Sequence, residues 1–122
     1  MPIADLLPLA TRLPSDVWTL AVLLLAAPCF EEVIFRGGLQ QHLQQRWQDA
    51  RGALRAQGAT TLAFGLAHAV VRGWALGLAV LLPAWLIGHL YRRHARLWPC
   101  VAVHALFNLT WLATAGILLP SA

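Results

Sequence analysis

Two adjacent glutamates, Glu31 and Glu32, close a run of apolar residues that begins at Val17, and Arg36 follows four positions after the second. They are the only glutamates in the chain, and its other acids, Asp5, Asp16 and Asp49, lie outside the strongly apolar stretches. An ionised group in the middle of a bilayer costs on the order of 2.5–3.5 kcal/mol on insertion scales, so acids in that setting face protein or water and mark function. Any fold of this chain has to give the pair neighbours.

Composition decides that the setting is a membrane. Of 122 residues, 59% are hydrophobic and 11% charged, too few charges for a small soluble domain to cover its surface. The length fits one domain. The net charge of +4 comes from nine arginines and no lysine. The arginines cluster between apolar segments and form no stripe with interleaved aromatics, which indicates membrane topology and argues against nucleic acid as a partner. Cys29 and Cys100 form no CxxC pair and read as inert core residues.

Residues 1–15, with Pro2, Pro8 and Pro14, form a lead too broken for a spanning helix. A signal-peptide reading of residues 1–29 fits poorly, because Arg12 is offset by Asp5 and Pro28 sits badly for cleavage. Asp16 is a good N-cap for a first helix that runs through the glutamates to Gly37 or Gly38, about the 20 residues a bilayer needs. Residues 40–57 are the most polar, with Leu43, Trp47, Ala50 and Leu54 at helical spacing and Arg46, Arg51 and Arg55 elsewhere, which predicts an amphipathic linker lying on the membrane surface. A second, short helix over 59–71 carries His68, and Arg72 and Gly73 make a tight connection. A third over 74–90 should kink at Pro83. A basic loop, 91–96, leads to a fourth helix over 97–119 that holds His104 and Asn108.

The fold expected is therefore an all-α, polytopic membrane helix bundle of about four transmembrane helices, with a core spanning 16–119. With four spans, Arg46, Arg51, Arg55, Arg92, Arg93 and Arg96 share one side, against Arg12 and Arg72 on the other. The first side is expected to be cytoplasmic and both termini extracytoplasmic, in a bacterial cytoplasmic (inner) membrane. Trp18, Trp74, Trp98 and Trp111 read as interfacial anchors or packing residues. At 1.5 Å per residue, Glu31, His68 and His104 all come to lie roughly 10–15 Å below the cytoplasmic face.

Glu32 and Arg36 share a helix face and can neutralise one another, whereas Glu31 is turned about 100° away and is the better general base. His104 and Asn108 project together as donors for a developing oxyanion, with His68 a third polar group at the same depth. His42, His89 and His94 fall in or beside the arginine-bearing segments and are assigned no chemistry. Glu31, His68 and His104 could alternatively hold zinc with an open fourth position, but no HExxH pair is present, and water activation by carboxylate and histidine needs no ion, so no cofactor is expected.

The motifs EExxxR (Glu31 to Arg36), FxxxH (Phe64 to His68) and HxxxN (His104 to Asn108), in that order on successive apolar segments, resemble the CPBP family of intramembrane proteases. That family includes CAAX prenyl proteases and bacteriocin-processing or self-immunity proteins. The resemblance covers residues 16–119 and implies a glutamate-activated water, prepared by Glu31 and His68, with His104 and Asn108 stabilising the oxyanion and Glu32, Arg36 and Phe64 in support. It implies a membrane-associated protein or peptide substrate, either prenylated or carrying a C-terminal sorting tail. The alternatives are a non-catalytic binding or immunity protein on the same fold and a small proton or ion pathway using Glu31, His68 and His104 as relay sites. Many members carry extra helices; a core this short leaves room for a homo-oligomer or a partner subunit.

Overall fold

The computed structural model describes residues 17–118, with side-chain surroundings through 114. The 1–15 lead and the Asp16 cap lie outside the described residues. The described chain is helical throughout, joined by short turns: α1 (Val17–Arg46), α2 (Gly52–Arg72), α3 (Trp74–Ala79), α4 (Leu81–His94) and α5 (Leu97–Leu118). Three segments are long and apolar enough to cross a membrane, Val17–Arg46, Trp74–His94 and Leu97–Thr114. The fourth helix body, α2, has 21 residues and is the more polar one, hiding Gln57, Thr60 and Thr61 in the interior.

The molecule is built with its polar groups inside. Its largest fully buried side chains include Arg36, Gln40, Gln57, Glu32 and Thr60, while Val70 is 84% and Val71 79% exposed. A water-soluble chain would reverse this arrangement. Lipid solvates the apolar exterior and leaves the polar side chains to satisfy one another between helices. An apolar seam between α4 and α5 completes the interior, with Ile87, Tyr91 and Cys100 packed against Leu90, Leu97, Val103 and Phe107.

α1 does not stop at the glycines. It widens into π turns over Val22–Ala26 and again over Val33–Gln40, carries Gly37 and Gly38 within the second, and continues to Arg46. Residues four apart drift by about 40° per step in an ordinary α-helix; a π turn holds more residues and removes much of that drift. Pro28, Glu32, Arg36 and Gln40 consequently remain on one buried face. Leu97 packs beside Gly37, where an added Cβ would already lie 3.4 Å from its Cδ1.

The surface linker expected over 40–57 is absent as a separate element. Its first part is the end of α1, its last part opens α2 at Gly52, and only residues 47–51 turn between them. The physical reason is the fate of its amides. Gln40 Nε2 donates to the Gly88 carbonyl at 2.9 Å and Gln57 Nε2 to the Trp85 carbonyl at 3.0 Å, so both tie their helices to α4 instead of facing water. The basic loop is shorter than expected for a similar reason. α4 runs to His94 because Tyr91 is buried and donates its hydroxyl proton to Gln41 Oε1, and Ala95, at φ 52°, makes the reversal. Cys29 is exposed, contrary to the core position expected for it; Cys100 is buried.

Pro83 interrupts the third span as expected. Lacking an N–H, it cannot bond the Ala79 carbonyl, and the helix breaks at Val80 between α3 and α4. The α2–α3 corner turns at Gly73, whose φ of 97° suits glycine alone. Beyond it, α3 folds back so closely that a Cβ added at Gly77 would meet the Gly65 carbonyl oxygen at 2.8 Å and Ala69 Cα at 2.9 Å. Because both obstacles are backbone, Gly77→Val should cost about 1–3 kcal/mol and lower the melting temperature of the detergent-solubilised protein. An unchanged melting temperature would refute this account of the corner.

Candidate active site

The site is assembled around the His104 ring on α5. Its Nδ1 lies 2.7 Å from Glu32 Oε1 and its Nε2 lies 3.1 Å from Glu31 Oε2. Neighbouring glutamates that diverge on α1 thus converge on opposite edges of one imidazole. When protonated, the ring donates from both nitrogens. The ring and Arg36 are then two cations set against two carboxylates.

The two acids have different surroundings. Glu32 is completely buried, and its Oε2 lies 3.4 Å from Arg36 Nε. Arg36, equally buried, donates from Nη2 to the Ala84 carbonyl at 2.8 Å and lies with Cζ 5.8 Å from the Phe64 ring centroid, within cation–π range. The Glu31 side chain keeps 29% of its exposure. Its Oε1 faces His68 Nε2 at 3.7 Å, too far for a direct hydrogen bond. The other His68 nitrogen, Nδ1, is 2.9 Å from the Phe64 carbonyl, which can only accept; the Nδ1–H tautomer follows, leaving Nε2 as an acceptor toward Glu31 when the ring is neutral.

Phe64 is the packing hub of the cluster. Its ring lies 4.3 Å from that of His68, 5.8 Å from that of His104 and 4.9 Å from that of Phe35, the last two edge-on. Such contacts fix ring planes as well as fill space. Asn108, one turn beyond His104, donates from Nδ2 to the Leu23 carbonyl on α1 at 2.9 Å, which spends one of its two N–H groups. Glu31, Phe64, His68, His104 and Asn108 all line one cavity of about 540 Å³. Its other walls are mostly apolar, contributed by all five helices, and Arg72 at the end of α2 stands among them.

All seven residues expected in or beside the site therefore meet. Sequence reasoning missed the support beneath them: Phe35 against Phe64, Leu23 under Asn108, and Gln40 prolonging the buried face. Gln40 had a legible signal, since it sits four after Arg36 just as Arg36 sits four after Glu32. Among the described residues no group of three or more His, Cys, Asp and Glu side chains is arranged to hold a metal ion. His104 presents both ring nitrogens to carboxylates, Nε2 to Glu31 and Nδ1 to Glu32.

Carboxylates and histidines are thus gathered at a largely apolar cavity inside a polytopic membrane bundle. Residues 13–110 match the family described as type II CAAX prenyl endopeptidase Rce1-like, and the chain belongs to it. The membership agrees with the three motifs read from the sequence. No curated protein and no solved structure matches the chain.

Breaking the Arg36–Glu32 pair from one side leaves a buried carboxylate uncompensated. Arg36→Ala should destabilise by about 3–5 kcal/mol, read as loss of the folded species on heating in detergent. Arg36→Lys should restore only part of this, since an ammonium cannot hold both Glu32 and the Ala84 carbonyl with the same planar fork. Full stability in Arg36→Ala would mean that the pair is not structural.

Proposed function

We propose that the protein is an endopeptidase of glutamic type, hydrolysing a peptide bond of a membrane-associated or lipidated protein with a water activated by Glu31 and His68. The observation that carries this reading is the division of the Glu31 carboxylate. Oε2 is held by His104 while Oε1 stands 3.7 Å from His68 Nε2 on the cavity wall, accessible where Glu32 is not. A water resting against Oε1 and Nε2 donates to two acceptors, which turns its lone pairs outward.

The water oxygen attacks the scissile carbonyl carbon, and its proton passes to Glu31 Oε1. As the carboxyl becomes neutral its hold on the Nε2–H of His104 weakens, and the new oxyanion accepts from that N–H and from the second amide N–H of Asn108. Glu31 then gives its proton to the amide nitrogen as the C–N bond breaks, leaving an acid and an amine. Glu32, backed by Arg36, keeps the His104 ring in plane throughout and touches no substrate. The apolar cavity suits a lipid chain or a membrane-spanning tail beside the scissile bond.

The arginines support an orientation as well. Tyr91 to Gln41 and Arg92 to Gln57 tie the α4–α5 hairpin to the α1–α2 turn, so that Arg46, Arg51, Arg55, Arg92, Arg93 and Arg96 gather at one end of the bundle. We read that end as cytoplasmic, in a bacterial inner membrane, with both termini outside.

The test compares peptide termini of membrane and secreted proteins from cells carrying the wild-type chain and cells carrying Glu31→Gln at equal membrane levels. Cleaved ends confined to the wild type are expected, with turnover of an identified substrate falling by about 10²–10⁴-fold in the variant. Identical termini, with the cellular phenotype kept by Glu31→Gln, would point to a non-catalytic binding or immunity role. Because the proposed water is activated by side chains alone, 1,10-phenanthroline should leave the purified activity unchanged; its abolition, restored by added zinc, would favour the metal reading.

A further inference from the structure

At the arginine-rich end of the bundle, outside the catalytic cavity, a second cleft of about 490 Å³ opens between α4 and α5, lined by Leu90, Arg93, His94, Arg96, Trp98 and Pro99. Among the described residues its arginines form no ion pair with an acid. The ion pairs of the described residues consume Glu31 and Glu32 in the candidate site and Asp49 with Arg55. Arg92, beside the cleft, is already committed to Gln57 and His89. Arg93 and Arg96 are exposed on its rim with no carboxylate within ion-pair distance among the described residues. Leu90 and Pro99 form an apolar floor, and Trp98, 69% exposed, stands where α5 begins.

We propose that this cleft binds the headgroup of an anionic phospholipid. The chemistry it selects is a phosphate on an apolar tail. Two guanidiniums hold the phosphate oxygens, a task for which their planar forks are well shaped. The first methylenes lie along Leu90 and Pro99, and the Trp98 indole sits at headgroup level, where such rings concentrate. A basic pocket between membrane helices on the arginine-rich side recognises lipid in this way. The position gives the lipid a structural task. Ala95 holds the hairpin in a left-handed turn, and Cys100 Sγ, one turn into α5, contacts the carbonyls of Arg96 and Ile87. A headgroup bridging Arg93 on α4 and Arg96 before α5 fastens those helices at the end from which His104 is positioned.

The test uses the whole protein in nanodiscs of neutral phosphatidylcholine, with and without phosphatidylglycerol, reading the melting temperature and the lipids retained in native mass spectra. A rise in melting temperature and a retained phosphatidylglycerol are expected for the wild type, and both should be lost in Arg93→Ala/Arg96→Ala. The comparison variant, Arg46→Ala/Arg51→Ala, removes the same charge from the same end and should keep both. Equal loss in the two double variants would mean diffuse attraction to the surface and overturn the site, as would full retention in Arg93→Ala/Arg96→Ala. An equal rise produced by glycerol 3-phosphate in the neutral discs would make the ligand a free phosphate ester and overturn the lipid assignment. None of the four arginines touches the catalytic cluster, so the result is independent of the proteolytic reading.

Discussion

Everything in this bundle depends on giving two neighbouring carboxylates partners inside a bilayer, one of them fully buried. A lone carboxylate there would have nothing to offset its desolvation; two acids flanking one imidazole, with a guanidinium behind the second, have cationic partners at hand. The requirement reaches across the fold, because the acids are on α1, the imidazole on α5 and the carbonyl that takes up the guanidinium's spare N–H on α4. None of these helices can leave without stranding a polar group belonging to another. The apolar contacts decide how closely the helices lie; the charges decide which helices must be together.

The two glutamates differ in burial. Glu32 is sealed against Arg36 and His104, whereas Glu31 shares one oxygen with His104 and keeps the other toward His68 and the cavity. The family of CAAX-type endopeptidases to which the chain belongs is thus represented by a core in which structural and accessible carboxylates are chain neighbours. One residue of offset along α1 separates an interior group from one at a cavity wall.

Much of this was legible in the residues. Acid and basic side chains in apolar surroundings have few available explanations, so Glu31, Glu32, Arg36, His68, His104 and Asn108 could be singled out, and Pro83 and Gly73 announced their break and corner through backbone chemistry. What stayed hidden depended on partners distant in the chain. Gln40 and Gln57 looked like surface because amides usually are; only the packing of α4 turns them inward. Cys29 looked like core because its neighbours are greasy, but in lipid a greasy neighbourhood is equally the outside. The π turns left no compositional mark at all, and they extended α1 past two glycines that would ordinarily end a helix.

The buried face of α1 also sets its register. Arg36 reaches Ala84 and Gln40 reaches Gly88, each across 48 positions, so α1 and α4 run side by side in the same direction with matching steps. Apolar helices in lipid slide past one another at little cost, since one leucine replaces another. Here a slip by a single turn would bring the carboxylate of Glu32 against a carbonyl oxygen and lift the guanidinium to a level meant for an amide. The order acid, guanidinium, amide along one face therefore gives the two helices a longitudinal register, and it opposes a slip in that direction with facing lone pairs.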